Sequence, residues 1–94
     1  MDDGVHEVTE EVTVTNRLGI HARPAAAIVQ RVLSFESDVH FNFNGNRVNA
    51  KSIMGLLTLA ATRSSRLMVH CKGKDAQEAL DAVKELFASG FGEE

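Results

Sequence analysis

The sequence predicts an α+β fold: a two-layer open-faced sandwich, with a four-stranded antiparallel sheet and three helices on one face, in the order βαββαβα. Two kinds of pattern predict it, because hydrophobic residues alternate with period two in some segments and recur at helical spacing in others. The chain has 94 residues, of which 44% are hydrophobic and 24% charged, as in folded globular proteins. We therefore expect residues 1–94 to form a single domain with one core.

The first strand is predicted from "VTVT", residues 12–15, where valine alternates with threonine. Its start is placed near Val8 but stays open, because Glu10 falls at the same parity as the valines. The first helix begins at about Ala22, since Pro24 is tolerated in the first turn of a helix and not in its interior. Its inward face is predicted to consist of Ala22, Ala25, Val29, Val32 and Leu33.

A hairpin follows. The side chains of Val39, Phe41 and Phe43 share one face of a strand, and Asn-Gly at 44–45 is typical of a type I′ turn. Residues 38–44 and 46–50 are therefore predicted to pair. Ser52 then precedes "IMGLLTLAA", which indicates a short second helix with the serine as its N-cap.

The last strand and helix are predicted from the final third of the chain. Leu67, Val69 and Cys71 alternate with polar or flexible residues as a fourth strand, and Asp75 followed by Glu78 is typical of a capped helix start. The inward residues of this third helix are predicted to be Ala76, Ala79, Leu80, Val83, Leu86 and Phe87.

Composition restricts the classes of function. A net charge of −3 argues against a nucleic-acid partner. The chain begins without a signal-peptide pattern and has no apolar run long enough for a membrane span, so we expect a cytoplasmic protein without membrane insertion. The single cysteine, Cys71, fits a reducing compartment. Neither His6, His40 nor His70 has the spacing of a metal ligand, and no Walker-type loop is present, so we expect no metal and no cofactor.

The segment "GIHARPAAAIV" is the strongest candidate for chemistry. It places His21 at or next to the N-cap of the first helix and Arg23 in its first turn. Free backbone N–H groups, the positive end of the helix dipole and a guanidinium would meet there, and all three favour an anion. The residues alone leave two interpretations open: His21 is a nucleophile for phosphoryl transfer, or it only caps the helix.

The two segments "NRLGIHARPAAAIVQ" and "KSIMGLLTLAA" together resemble the histidine-containing phosphocarrier protein HPr of the bacterial phosphoenolpyruvate-dependent sugar phosphotransferase system. The resemblance extends from about Glu7 to Gly92. It implies that His21 accepts a phosphoryl group on Nδ1 from phospho-enzyme I and passes it to an enzyme IIA. It also implies that Arg23 stabilises the phosphoryl group and that Pro24 fixes the helix start.

The resemblance further implies regulatory phosphorylation of Ser52 by an HPr kinase/phosphorylase, in organisms that have one, and partner docking by Ile53, Met54 and Leu57. The short helix has too many apolar residues for one inward stripe, so some must face solvent. An alternative function is a regulatory binding module that acts mainly through Ser52 and not in sugar transport. Transfer from one partner to another requires an exposed His21 and weak, brief complexes, so we expect a monomer. No acid–base pair is evident near His21 in the sequence, so we expect a phosphoryl carrier without turnover of its own.

Overall fold

The computed structural model describes residues 6–93. These residues confirm the predicted order of three helices and four strands. The elements are β1 (His6–Thr13), α1 (Ala22–Val32), β2 (Asp38–Phe43), β3 (Asn46–Asn49), α2 (Ile53–Thr58), β4 (Arg66–Gly73) and α3 (Ala76–Ala88), followed by one 3₁₀ turn (Gly90–Gly92).

The four strands form one antiparallel sheet in the order β1-β4-β2-β3. Alternate side chains of each strand point to the side covered by the helices, and the central ones, such as Phe41 and Val69, are fully buried there. Helix α3 packs on β1 and β4, whereas α1 packs against the two other helices. The open-faced α+β sandwich predicted from the sequence is therefore confirmed.

Strand β1 differs from its prediction at both ends. It starts at His6 and ends at Thr13. Val14 continues the alternation and is buried, and its N–H still donates to the carbonyl oxygen of Ser65 opposite it (2.9 Å). Its own carbonyl oxygen, however, accepts from the N–H of Ser64 (2.8 Å), which has φ 75°, so the regular ladder ends at Thr13. Glu10 does lie on the helix side of this edge strand, where its carboxylate pairs with the ammonium of Lys84 in α3 at 2.9 Å.

Helix α1 begins at Ala22 as predicted, but its inward face is partly different. The buried residues are Pro24, Ala25, Ile28, Val29 and Val32. Ala22 is exposed and Leu33, the C-cap, is 60% exposed, so both predictions were wrong. Ile28 was missed, although it lies three residues after Ala25 and four before Val32 on the same helical stripe.

The hairpin turn and the serine cap are confirmed. Asn44 (φ 52°) and Gly45 (φ 80°) both have the positive φ that a type I′ turn needs, although each strand is one residue shorter than predicted. Ser52 is the N-cap of α2, and its Oγ accepts a hydrogen bond from the backbone N–H of Gly55 (3.0 Å).

Helix α3 starts where predicted but without the predicted capping hydrogen bond. The Asp75 carboxylate accepts instead from the backbone N–H groups of Glu36 and Ser37, both at 2.9 Å, and from the Ser37 hydroxyl. These bonds, led by the one from the Ser37 hydroxyl, lower the pKa of Asp75. The carboxylate thus fastens the loop before β2 to the start of α3. On the inward face of α3, Leu86 is only partly buried, while Ala82 is buried in addition.

Two further expectations concern the whole chain. Within residues 6–93, the structure contains no helix of the length and hydropathy that crossing a membrane requires. The same residues include no cluster of three histidine, cysteine or acidic side chains suited to a metal ion.

Cys71 is buried in the core, and this burial raises the pKa of its thiol to about 11, so the thiol is protonated at neutral pH.

Candidate functional site

His21 is the N-cap residue of α1. Its backbone is extended (φ −93°, ψ −168°), and its carbonyl oxygen accepts the first helical hydrogen bond, from the N–H of Ala25 (3.0 Å). Pro24 lies one position earlier, where a backbone N–H would have no partner inside the helix. The proline therefore costs no hydrogen bond and supports the start of α1 directly after the histidine.

The loop that leads to His21 is fixed on the segment after α2. The N–H of Ile20 donates to the carbonyl oxygen of Ala61 (3.0 Å), and the side chain of Ile20 is buried. Gly19 has φ +71°, and a Cβ at this position would overlap that same carbonyl oxygen and lie 2.9 Å from Cα of Thr62. Only glycine fits this close approach of two backbones, so the position of His21 depends on a tertiary contact.

A carboxylate from the far end of the chain binds the imidazole of His21. Nε2 lies 3.0 Å from Oε1 and 3.1 Å from Oε2 of Glu93, and the two side chains are 36% and 12% exposed, respectively. The two residues are 72 positions apart. Sequence reasoning missed Glu93 because no local pattern connects an acidic residue of the C-terminal segment with the start of α1.

Asn16 completes this group. It is buried, with 1% of its surface exposed, and its Nδ2 donates both to the carbonyl oxygen of Gly19 (2.8 Å) and to Oε1 of Glu93 (2.9 Å). The pKa of Glu93 lies below its ordinary value. The main cause is the hydrogen bond from His21, and the second is the hydrogen bond from Asn16. The carboxylate is therefore ionised at neutral pH.

The site also contains a cationic side chain. Arg23 is exposed in the first turn of α1, and its charge also contributes to the lowered pKa of Glu93. The backbone N–H groups of Ala22 and Arg23 have no protein acceptor among the described residues, as expected for a first helical turn. Nδ1 of His21 likewise has no hydrogen-bond partner within residues 6–93. The site thus combines a free ring nitrogen with groups that bind an anion.

Helix α2, which packs against α1, carries an exposed apolar surface. Leu56 and Leu59 are buried, as an inward stripe requires. Three other side chains face solvent, Met54 the most at 72%, and we call them the α2 patch: Ile53, Met54 and Leu57. The expectation that some apolar residues of this helix face outward is confirmed, and these three are the residues predicted for docking.

Comparison with known proteins agrees with this architecture. The family described as "PTS HPr component phosphorylation site" matches residues 8–89. The phosphocarrier protein HPr of Xylella fastidiosa (strain Temecula1) is 44% identical over 84 residues, which cover 89% of this chain and 94% of that protein.

Solved structures of HPr proteins also match. HPr-C-His from Thermoanaerobacter tengcongensis superposes with a TM-score of 0.86 and 39% identity, over 95% of this chain and 98% of that one. An HPr dimer from the same organism gives a TM-score of 0.75 and 38% identity, over 87% of this chain and 94% of that one. Since sequence and structure agree over nearly the whole chain, the chain belongs to the HPr family of phosphocarriers of the phosphotransferase system.

Proposed function

We propose that His21 accepts a phosphoryl group on Nδ1 from phospho-enzyme I in the cytoplasm and delivers it to an enzyme IIA. One observation carries this proposal: the imidazole stands at the N-terminus of α1 with Nε2 bound to Glu93, while Nδ1 has no partner among residues 6–93. A histidine that served only as a helix cap would accept a backbone N–H, and His21 makes no such side-chain bond.

The chemistry follows from these groups. The lone pair of Nδ1 attacks the phosphorus atom of the donor, while the bond from phosphorus to the donor breaks and its electron pair stays with the donor. The transferred oxygens carry negative charge, which the guanidinium of Arg23, the free N–H groups of Ala22 and Arg23 and the helix dipole stabilise. In delivery, a nucleophilic group of the acceptor attacks the phosphorus atom, and the bond from Nδ1 to phosphorus breaks with its electron pair returning to Nδ1.

Access of both partners to the site is consistent with the structure. The side chain of His21 is 36% exposed, and the α2 patch lies on the helix that packs against α1. We assign Ile53, Met54 and Leu57 to partner docking, because an exposed apolar patch beside a reactive group favours a protein interface.

We also propose that the chain acts as a monomer, since a partner must reach His21 and the patch together. Light scattering coupled to gel filtration measures the oligomeric state directly.

The direct test is intact-mass spectrometry after incubation with phosphoenolpyruvate and enzyme I. We expect one added phosphoryl group that is labile in acid and stable in base, and none in His21→Ala. His40→Ala is the matched control, because His40 lies in β2, outside the site, and should not affect labelling. Failure of the wild-type chain to accept phosphate from an active enzyme I would refute the carrier function.

We further propose that phosphorylation of Ser52 inhibits transfer. Ser52 is partly exposed and directly precedes Ile53 of the α2 patch. A phosphate there would add about two negative charges to the docking surface and would repel acidic partners, whether or not α2 changes. In a transfer assay, Ser52→Asp should be slower than Ser52→Ala, which keeps the surface neutral. Equal rates would contradict regulation by charge.

If the chain were instead a regulatory binding module, the outcomes would be reversed. Enzyme I would leave His21 unmodified, whereas an HPr kinase/phosphorylase with ATP would label Ser52 in an acid-stable form. The same mass spectra distinguish the two functions, because phosphohistidine and phosphoserine differ in their stability to acid.

A further inference from the structure

We infer that Asn16 is a positioning residue for His21, and that it acts through Glu93 to hold the imidazole in the tautomer with its proton on Nε2 and its lone pair on Nδ1. The inference rests on the proposed carrier function for its role in transfer. Its structural content, the choice of tautomer, is independent of any partner and can be measured on the chain alone.

The direction of the hydrogen bonds determines the tautomer. Both oxygens of Glu93 lie within 3.1 Å of Nε2, and an ionised carboxylate can only accept hydrogen bonds. The ring therefore donates from Nε2, which must carry the proton. In a neutral imidazole the other nitrogen, Nδ1, then holds the available lone pair. The carboxylate thus selects Nδ1 as the nucleophilic atom.

Asn16 fixes the position of this carboxylate. Its two hydrogen-bond partners, the carbonyl of Gly19 and the carboxylate of Glu93, are both acceptors, so the side chain must present its NH₂ group to them. The consequence is visible at the other end of the amide, where Oδ1 is buried without a partner. An aliphatic residue would avoid this unsatisfied oxygen, so the two N–H donors are what the site uses.

The backbone after α3 places Glu93 within reach. Gly90, Phe91 and Gly92 have φ values of 61°, 58° and 74°, and the N–H of Glu93 donates to the carbonyl oxygen of Gly90 (2.9 Å). The ring of Phe91 contacts that of Phe87 in the core, with centroids 4.9 Å apart. A turn held in this way directs the carboxylate to the loop before α1, where Asn16 binds it.

This arrangement bears on the proposed transfer. When Nδ1 forms its bond to phosphorus, positive charge develops on the ring while the proton stays on Nε2. An adjacent carboxylate that accepts from Nε2–H stabilises this charge without taking the proton, as in other acid–histidine pairs. Loss of Asn16 removes one of the two groups that hold the carboxylate, and the tautomer preference should weaken with it.

The test is nitrogen-15 NMR of the imidazole nitrogens at a pH where the histidines are neutral, because the two nitrogens have separate shifts when the tautomer is fixed. In the wild-type chain, His21 should carry its proton on Nε2. Glu93→Ala should reduce the tautomer ratio by about tenfold, the effect of losing one charge-assisted hydrogen bond. Asn16→Ala should also reduce this ratio. The double variant Asn16→Ala/Glu93→Ala should show the same ratio as Glu93→Ala alone, because Asn16 acts through Glu93.

Glu85→Ala is the matched control, since this exposed glutamate of α3 pairs with Arg31 away from the site. It should leave the shifts of His21 unchanged. If Asn16→Ala does not fold, Asn16→Ser takes its place in the single and the double variant, because one hydroxyl donor cannot replace both N–H bonds of the amide. An unchanged tautomer in folded Asn16→Ala, or in folded Glu93→Ala, would overturn the inference, even if the variant were less stable.

The outcomes separate this inference from the carrier function. If enzyme I phosphorylates the wild-type chain but the tautomer is insensitive to Asn16→Ala or to Glu93→Ala, the role of Asn16 fails and the carrier function stands. If the tautomer responds as expected but the wild-type chain accepts no phosphate, the carrier function fails and the positioning role stands.

Discussion

Replacement of Gly19 by alanine tests whether the loop before His21 is fixed by its contact with the segment after α2. Gly19 has φ +71°, which costs an L residue about 1–2 kcal/mol. The added Cβ would also overlap the carbonyl oxygen of Ala61 and approach Cα of Thr62 to 2.9 Å. Both neighbours are backbone atoms, so the loop must move, at a further cost of about 1–3 kcal/mol. Together these lower the free energy of unfolding by about 2–5 kcal/mol.

Gly45→Ala is the matched control for this substitution. Gly45 also has a positive φ, 80°, but no atom lies within 4 Å of a Cβ there. The free energy of unfolding of Gly45→Ala should therefore fall only by the backbone strain, about 1–2 kcal/mol. Urea denaturation followed by circular dichroism gives both values, and the difference between them isolates the overlap with Ala61 and Thr62.

The same substitution should affect the site. The carbonyl oxygen that the new Cβ would displace is the acceptor for the N–H of Ile20, next to His21. A shift of about 1 Å in a reacting group can reduce a rate by about a hundredfold. We expect phosphorylation of His21 by enzyme I to slow strongly in Gly19→Ala and not in Gly45→Ala. Equal stability loss and equal rates in the two variants would refute the reasoning.

Three further predictions follow from single contacts. Ser52→Ala should lose about 1 kcal/mol in urea denaturation, because Gly55 N–H loses its cap, while labelling of His21 stays unchanged. Asp75→Ala should lose about 2 kcal/mol by the same measurement, since Ser37 is buried and would lose its acceptor; a smaller loss than Ser52→Ala would contradict this. The hydrogen bond from His21 lowers the pKa of Glu93 below its ordinary value of 4.5. This contact should therefore stabilise the fold above pH 4.5 and lose its contribution as the pH falls through the lowered pKa. An NMR titration of the Glu93 carboxyl carbon with a midpoint at or above pH 4.5 would contradict this prediction.

Most of the fold could be predicted from the sequence because its signals are local. The Asn-Gly turn needs positive φ at two adjacent residues, a proline restricts the start of α1, and a serine caps α2; each effect acts within four residues. The errors occurred where a distant group intervened. The alternation of β1 suggested residues 12–15, but the regular ladder ends at Thr13 because the carbonyl oxygen of Val14 accepts from Ser64 in the loop before β4. The Asp75 carboxylate binds Glu36 and Ser37 rather than its own helix.

The candidate site divides in the same way. By itself the sequence placed His21, Arg23 and Pro24 at the start of one helix, because a proline and helical periodicity determine that start over a few residues. Only the tertiary structure brought Glu93 to Nε2 of His21 across 72 positions and placed the buried Asn16 against the same carboxylate. A hydrogen bond between distant residues depends on how the helices and the sheet pack, and no pattern of neighbouring residues carries that information.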